Sequence, residues 1–71
     1  MDLVYKRLYL NRYINEIWIE VCHSDESSLT DNEADAIMQW TMENKIGVRM
    51  AFQLWKFRTE KELTAFVLKW C

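Results

Sequence analysis

Between residues 48 and 70 the spacing of apolar side chains changes once and abruptly. In VRMAFQLWKFR, residues 48–58, Val48, Met50, Phe52 and Leu54 fall on one side of an extended chain, and Trp55 and Phe57 on the other. That is strand alternation. Thr59-Glu60-Lys61-Glu62 then has the form of a capping box, and Leu63, Phe66, Val67 and Trp70 follow at i, i+3, i+4 and i+7, the stripe of an amphipathic helix. A strand therefore runs straight into a short helix, and the helix must fold back to close a core.

The rest of the chain supplies partners for that unit. LVYKRLYL, residues 3–10, alternates Val4, Leu8 and Leu10 with Tyr5, Arg7 and Tyr9; it reads as a strand, with a helix over residues 3–13 as the rival. In INEIWIEVC, Ile17, Ile19 and Val21 alternate with Trp18, Glu20 and Cys22, and the β-branched residues favour a strand. HSDESS at 23–28 is a polar loop. Thr30 and Glu33 then form a capping box, Leu29 is placed to staple onto Ala34, and Ala34, Ile37, Met38, Thr41 and Met42 make the less polar stripe of a helix reaching about Asn44. Gly47, the only glycine, is positioned to stop it.

The expected architecture is one compact α+β domain over residues 1–71. It has two layers, a three-stranded sheet with both helices on one face, in the order β-β-α-β-α. The helix-facing side would carry Leu8, Ile17, Ile19, Val21, Met50, Phe52 and Leu54. The other side would carry Tyr5, Tyr9, Trp18, Trp55 and Phe57, with Arg7, Glu20, Arg49 and Gln53 among them, and no element remains to cover it.

Size makes that open face significant. A chain of 71 residues buries only about 60% of the surface its unfolded form exposes, so its stability is marginal. Four Trp, three Tyr and three Phe point to a dense aromatic core or to a core plus an adhesive surface. Exposed apolar patches mark interfaces, and Trp, Tyr and Arg are the usual binding hot spots. Tyr5, Arg7, Tyr9, Trp18, Glu20, Trp55 and Phe57 are thus the expected partner or dimer face.

Charge narrows the partner. Net charge is −2, and from Asp25 to Glu43 there are six acids and no Lys or Arg. Asp31, Glu33 and Asp35 suit the positive end of a helix macrodipole; with Asp25, Glu26 and Glu43 they also form an acidic patch able to meet a basic protein surface. Stacking of single-stranded nucleic acid on the aromatics is the alternative, disfavoured because the cationic footprint that governs such affinity is weak. Cys22, His23 and Cys71 do not have the spacing of a metal site. His23, Ser24 and Asp25 are neighbours in a loop rather than a convergent catalytic group. No enzyme activity, metal or cofactor is expected. No window has the length of a membrane span or the apolar run of a signal peptide, so a soluble cytoplasmic protein with free thiols is expected.

In FQLWKFRTEKELTAFVLKW, residues 52–70, the positions Phe52, Trp55, Phe57, Phe66, Leu68, Lys69 and Trp70 resemble the ends of small accessory proteins of large tailed bacteriophages, of the host-takeover or anti-defence type. The resemblance implies a viral, non-enzymatic protein made in the bacterial cytoplasm that binds a host protein and inhibits or modulates it. It carries no site residues. Expected partners are therefore a host protein and a second copy in a homodimer, and a self-assembling structural subunit is the remaining alternative.

Overall fold

The computed structural model describes residues 3–8 and 16–71. Its elements are β1 (Leu3–Leu8), β2 (Ile17–His23), α1 (Asp31–Asn44), β3 (Val48–Ala51), β4 (Leu54–Phe57) and α2 (Glu60–Trp70). The class is α+β with two helices, as expected, but the sheet has four strands rather than three. Their order is β1-β2-β4-β3, with every neighbouring pair antiparallel. Leu3–Leu8 is extended, not helical; Tyr9 and the remainder of the 9–13 stretch lie outside the described residues.

The fourth strand arises because residues 48–58 are not one strand. The chain reverses at Phe52 and Gln53, and Ala51 faces Leu54 across the hairpin. Gln53 holds the reversal from two sides. Its carbonyl accepts from Val21 N at 2.9 Å, and its side-chain Oε1 accepts from Leu29 N at 3.2 Å. Arg49 closes the turn from within, its Nε donating to the carbonyls of Ala51 and Phe52, both at 3.1 Å. The register shifts between Arg49 and Ala51, a bulge that places Met50 out of step with β4.

Cross-strand pairing fixes the faces. Ile19 stands opposite Trp55 and Ile17 opposite Phe57, and residues directly opposite share a face. Trp55 and Phe57 therefore lie on the helix-facing side with Ile19 and Val21, and Leu54 lies on the open side, the reverse of the sequence expectation. Side-chain size decides between two apolar faces. Burying a Trp ring removes about 200 Å² from water, worth about 5 kcal/mol, and only the helix-covered face gives full burial. Trp55 is 0% exposed. Among the described residues its indole N–H meets no acceptor, a cost of about 1–3 kcal/mol that the ring's burial outweighs.

The core combines Leu3, Ile19, Val21, Trp55 and Phe57 from the sheet with Leu29, Ala34, Ile37, Leu63 and Phe66. Phe66 is its centre. Its ring lies 5.1 Å from Phe57, 6.1 Å from Trp55 and 6.3 Å from Trp40, centroid to centroid. Trp40 in turn meets Trp70 edge-on at 6.2 Å. α1 buries Ala34, Ile37 and Thr41, whereas Met42, expected in its core stripe, is exposed.

The N-caps Thr30 and Thr59 are as read from the sequence, but of the two expected capping boxes the one at α1 is complete and the one at α2 is half formed. At α1 the capping box is complete: Glu33 N donates to Thr30 Oγ1 at 3.2 Å and Thr30 N to Glu33 Oε1 at 2.8 Å. Leu29 and Ala34 are both buried beside it. At α2 the Thr59 half forms, Oγ1 accepting from Glu62 N at 3.2 Å. α1 ends at Lys45, in the left-handed conformation at φ 55°, rather than at Gly47. Gly47 serves the next step: at φ 80° a Cβ there would lie 2.5 Å from the Phe57 ring, so only glycine lets the chain pass that close to the core.

Phe66→Ala is expected to cost about 3–5 kcal/mol, most of the roughly 4–10 kcal/mol a domain of this length possesses; urea unfolding followed by Trp fluorescence measures it. Gly47→Ala is expected to lower the urea midpoint by the equivalent of at least about 1–2 kcal/mol, and an unchanged midpoint would contradict the Phe57 contact.

Candidate functional site

The open face of the sheet is built in rows by the strand register. One row runs Leu8, Trp18, Lys56, Val48; the next runs Lys6, Glu20, Leu54, Ala51; Val4 and Cys22 form a third. Trp18 is central, on the strand flanked by β1 and β4. Its parity is opposite to Ile19, which is fully buried on the helix side.

Of the residues expected on this face, the structure places Trp18 and Glu20 there. Trp55 and Phe57 are core. Tyr5 and Arg7 pair with Val21 and Ile19 and so point to the helix side, at a sheet edge that the helices leave partly uncovered: Tyr5 is exposed, and Arg7 reaches Glu60 of α2 at 2.6 Å. Arg49 also belongs to the helix side. In exchange, Leu8 and Leu54, expected inside, line the open face. The result is less aromatic than the sequence implied and more aliphatic.

Its charges cancel. Lys6 stands opposite Glu20, and Lys56 Nζ lies 3.1 Å from Glu16 Oε2. Two cations and two carboxylates alternate among apolar side chains. Nearby, a cleft of about 540 Å³ is lined by Lys45, Lys56 and Arg58 together with Glu16 and Glu62, again of mixed sign.

The acidic residues divide by the work they do in the fold. Asp25 accepts from Ser27 Oγ at 2.6 Å and Ser27 N at 3.0 Å, which shapes the turn after β2 and holds its carboxyl below the ordinary aspartate range. Glu26 occupies the left-handed position of that turn. Asp31 sits in the first turn of α1, where the macrodipole favours it. Glu33 accepts from Thr30 N and from His23 Nε2 at 2.9 Å; the Thr30 amide first, then His23, lowers its carboxyl. Asp35 lies 3.5 Å from Arg49 Nη1. The histidine thus ties the end of β2 to the start of α1.

A second surface lies along α1. Asp35, Met38, Gln39, Met42 and Glu43 line a shallow groove of about 530 Å³. Arg49 joins it to the hairpin, with Nη1 3.5 Å from Met38 Sδ and its guanidinium 5.4 Å from the Phe52 ring centre. Met38, Met42, Met50 and Phe52 were all expected to face the core. The signal that could have placed Met42 outside is the width of the α1 stripe: residues 34, 37, 38, 40, 41 and 42 span an arc of about 200° at about 100° per residue, more than one sheet can cover.

Among the described residues no helix is long and apolar enough to cross a membrane. No protein-family model matches the chain, and no curated protein or solved structure matches it either.

The lowered Glu33 carboxyl has a definite pH consequence. A group whose folded pKa lies below its unfolded value stabilises fully above the unfolded value, and that contribution disappears as pH falls through the folded one. Acid unfolding of the protein should therefore include a Glu33 component below the ordinary glutamate range. Glu33→Gln should flatten that part of the stability profile while leaving its slope above neutral pH unchanged, as measured by thermal melts across pH.

Proposed function

We propose that this chain is a non-enzymatic protein-binding module that acts by covering a surface of another protein with the open face of its sheet. One observation carries the reading: both helices pack on the same side, and no other described element covers the opposite face, where partly buried Leu8, Trp18 and Leu54 lie with the exposed Val4 and Val48. A small domain that exposes a sheet face in this way gains by covering it. The cancelled charges favour a protein surface over a nucleic-acid strand, whose binding is driven by neutralised phosphates. The resemblance of residues 52–70 to phage accessory proteins extends the proposal: the covered protein belongs to an infected bacterium, and covering it inhibits or redirects it in the cytoplasm.

A second copy of the chain is the other reading. It is favoured by the alternation of Lys6 with Glu20 and of Lys56 with Glu16, which lets two such faces meet in antiparallel register with opposite charges in contact.

Trp18→Lys tests both. Trp18 is partly buried and its indole nitrogen fully so, so circular dichroism must first show that the variant keeps its helices. From bacterial lysate the natural chain is expected to retain one protein in stoichiometric amount, with or without nuclease and at raised salt, and the variant is expected to lose it. Sedimentation of the purified chain that shows a dimer, converted to monomer by the same substitution, would assign the face to a second copy. Retention of nucleic acid that vanishes at raised salt would reject both readings.

A further inference from the structure

The groove along α1 is lined by residues of that helix and is separate from the open sheet face, and the fold does not account for its composition. Among the described residues seven large apolar side chains are exposed; Met42 of α1, Met50 of β3 and Phe52 of the following turn are three of them, and Val48 belongs to the open sheet face. Met42 is 69% exposed and Phe52 40%. Arg49 makes part of this region continuous: its guanidinium touches Met38 and stacks near Phe52, and its charge is taken up by two carbonyls and by Asp35. The apolar surface is therefore held in place from below by a residue that is itself fully engaged.

The rim is acidic in a way the macrodipole does not explain. α1 contains Asp31, Glu33, Asp35 and Glu43 and no Lys or Arg. Acids at the start of a helix are favourable, but Glu43 stands in the last turn, against the negative end, where a cation is preferred. It accepts a hydrogen bond from the Gln39 side-chain amide at 3.1 Å. Asp35, although near Arg49, remains 68% exposed. Two carboxylates thus bracket the methionines, two turns apart.

We propose that this groove is the docking site for a basic amphipathic helix of a partner protein, its apolar stripe on Met38, Met42 and Phe52 and its Lys or Arg side chains against Asp35 and Glu43. The dimensions agree. Met38 and Met42 are one turn apart on one helix face, a spacing of about 6 Å that matches the i, i+4 anchors of a helix lying along the groove. Methionine suits the task because an unbranched, polarisable side chain adapts to varied apolar partners. Strand addition at the β3 edge is opposed by the bulge at Met50 and by the inward-turned Arg49, two devices that blunt an edge. Phosphate-rich ligands are opposed by the rim.

The test uses the intact chain labelled with ¹³C at its four methionine methyls and three synthetic four-turn peptides. One has a Leu stripe flanked by Lys; the second has the same composition with the stripe scrambled; the third has the same stripe with Glu in place of Lys. The Met38 and Met42 methyls are expected to shift with the first peptide alone. Met42→Glu, at a site too exposed to threaten folding, and Glu43→Lys should each weaken that binding by at least about tenfold, whereas Trp18→Lys should leave it unchanged. The proposal is overturned by equal binding of the scrambled peptide, which would mean bare charge, or of the acidic peptide, which would mean bare hydrophobicity. It is also overturned if shifts centre on the Trp18 face, if no peptide binds, or if the Met42 methyl shifts on dilution without peptide, which would give the groove to a second copy.

Discussion

The contact between Phe66 and the paired rings of Trp55 and Phe57 joins the last helix to the central hairpin, and the rest of the structure is arranged around it. β4 presents the two rings at alternate positions, so both point the same way. α2 begins after only Arg58 and Thr59, and with so short a link its apolar stripe has no other surface within reach. Trp40 brings α1 into the same cluster through Phe66 and Trp70. A chain with little interior concentrates its burial in a few large rings, because each contributes several kcal/mol where a small side chain contributes one or two.

Concentrating the rings on one side leaves the sheet asymmetric. The covered side is aromatic, and the open side is aliphatic around a single Trp, with its charges balanced. The same economy leaves α1 broader in apolar surface than its seat on the sheet requires, so that Met42 faces outward. Two surfaces of different character result, one a sheet face with balanced charges, the other a shallow groove along α1 with an acidic rim. Their distinct chemistry suits distinct partners, and in a chain this small both lie within a short distance of one core.

Local features were legible wherever the deciding interaction lies within a few residues. The α1 capping box, the Thr59 cap and the alternation of β2 all depend on neighbours in sequence. The hairpin at Phe52 and Gln53 was not legible, since it contains no Gly, Pro, Asn or Asp and neither residue has a positive φ. Its stabilisers are Val21, Leu29 and Arg49, and two of those are distant in the chain. The positions of Trp55 and Phe57 on one side and Leu54 on the other were correctly separated by alternation, but alternation has no sign. Which side is inside depends on where the helices settle.

Thus periodicity and capping chemistry by themselves determined that this chain makes strands and two amphipathic helices of the α+β class, because those signals act over one or two turns of backbone. Tertiary structure alone decided that the sheet has four strands, that the largest rings face the helices, and that Met42 and Phe52 remain at the surface. Burial is a competition among all apolar side chains for a limited covered area, and its outcome is set by the whole packed arrangement rather than by any local stretch.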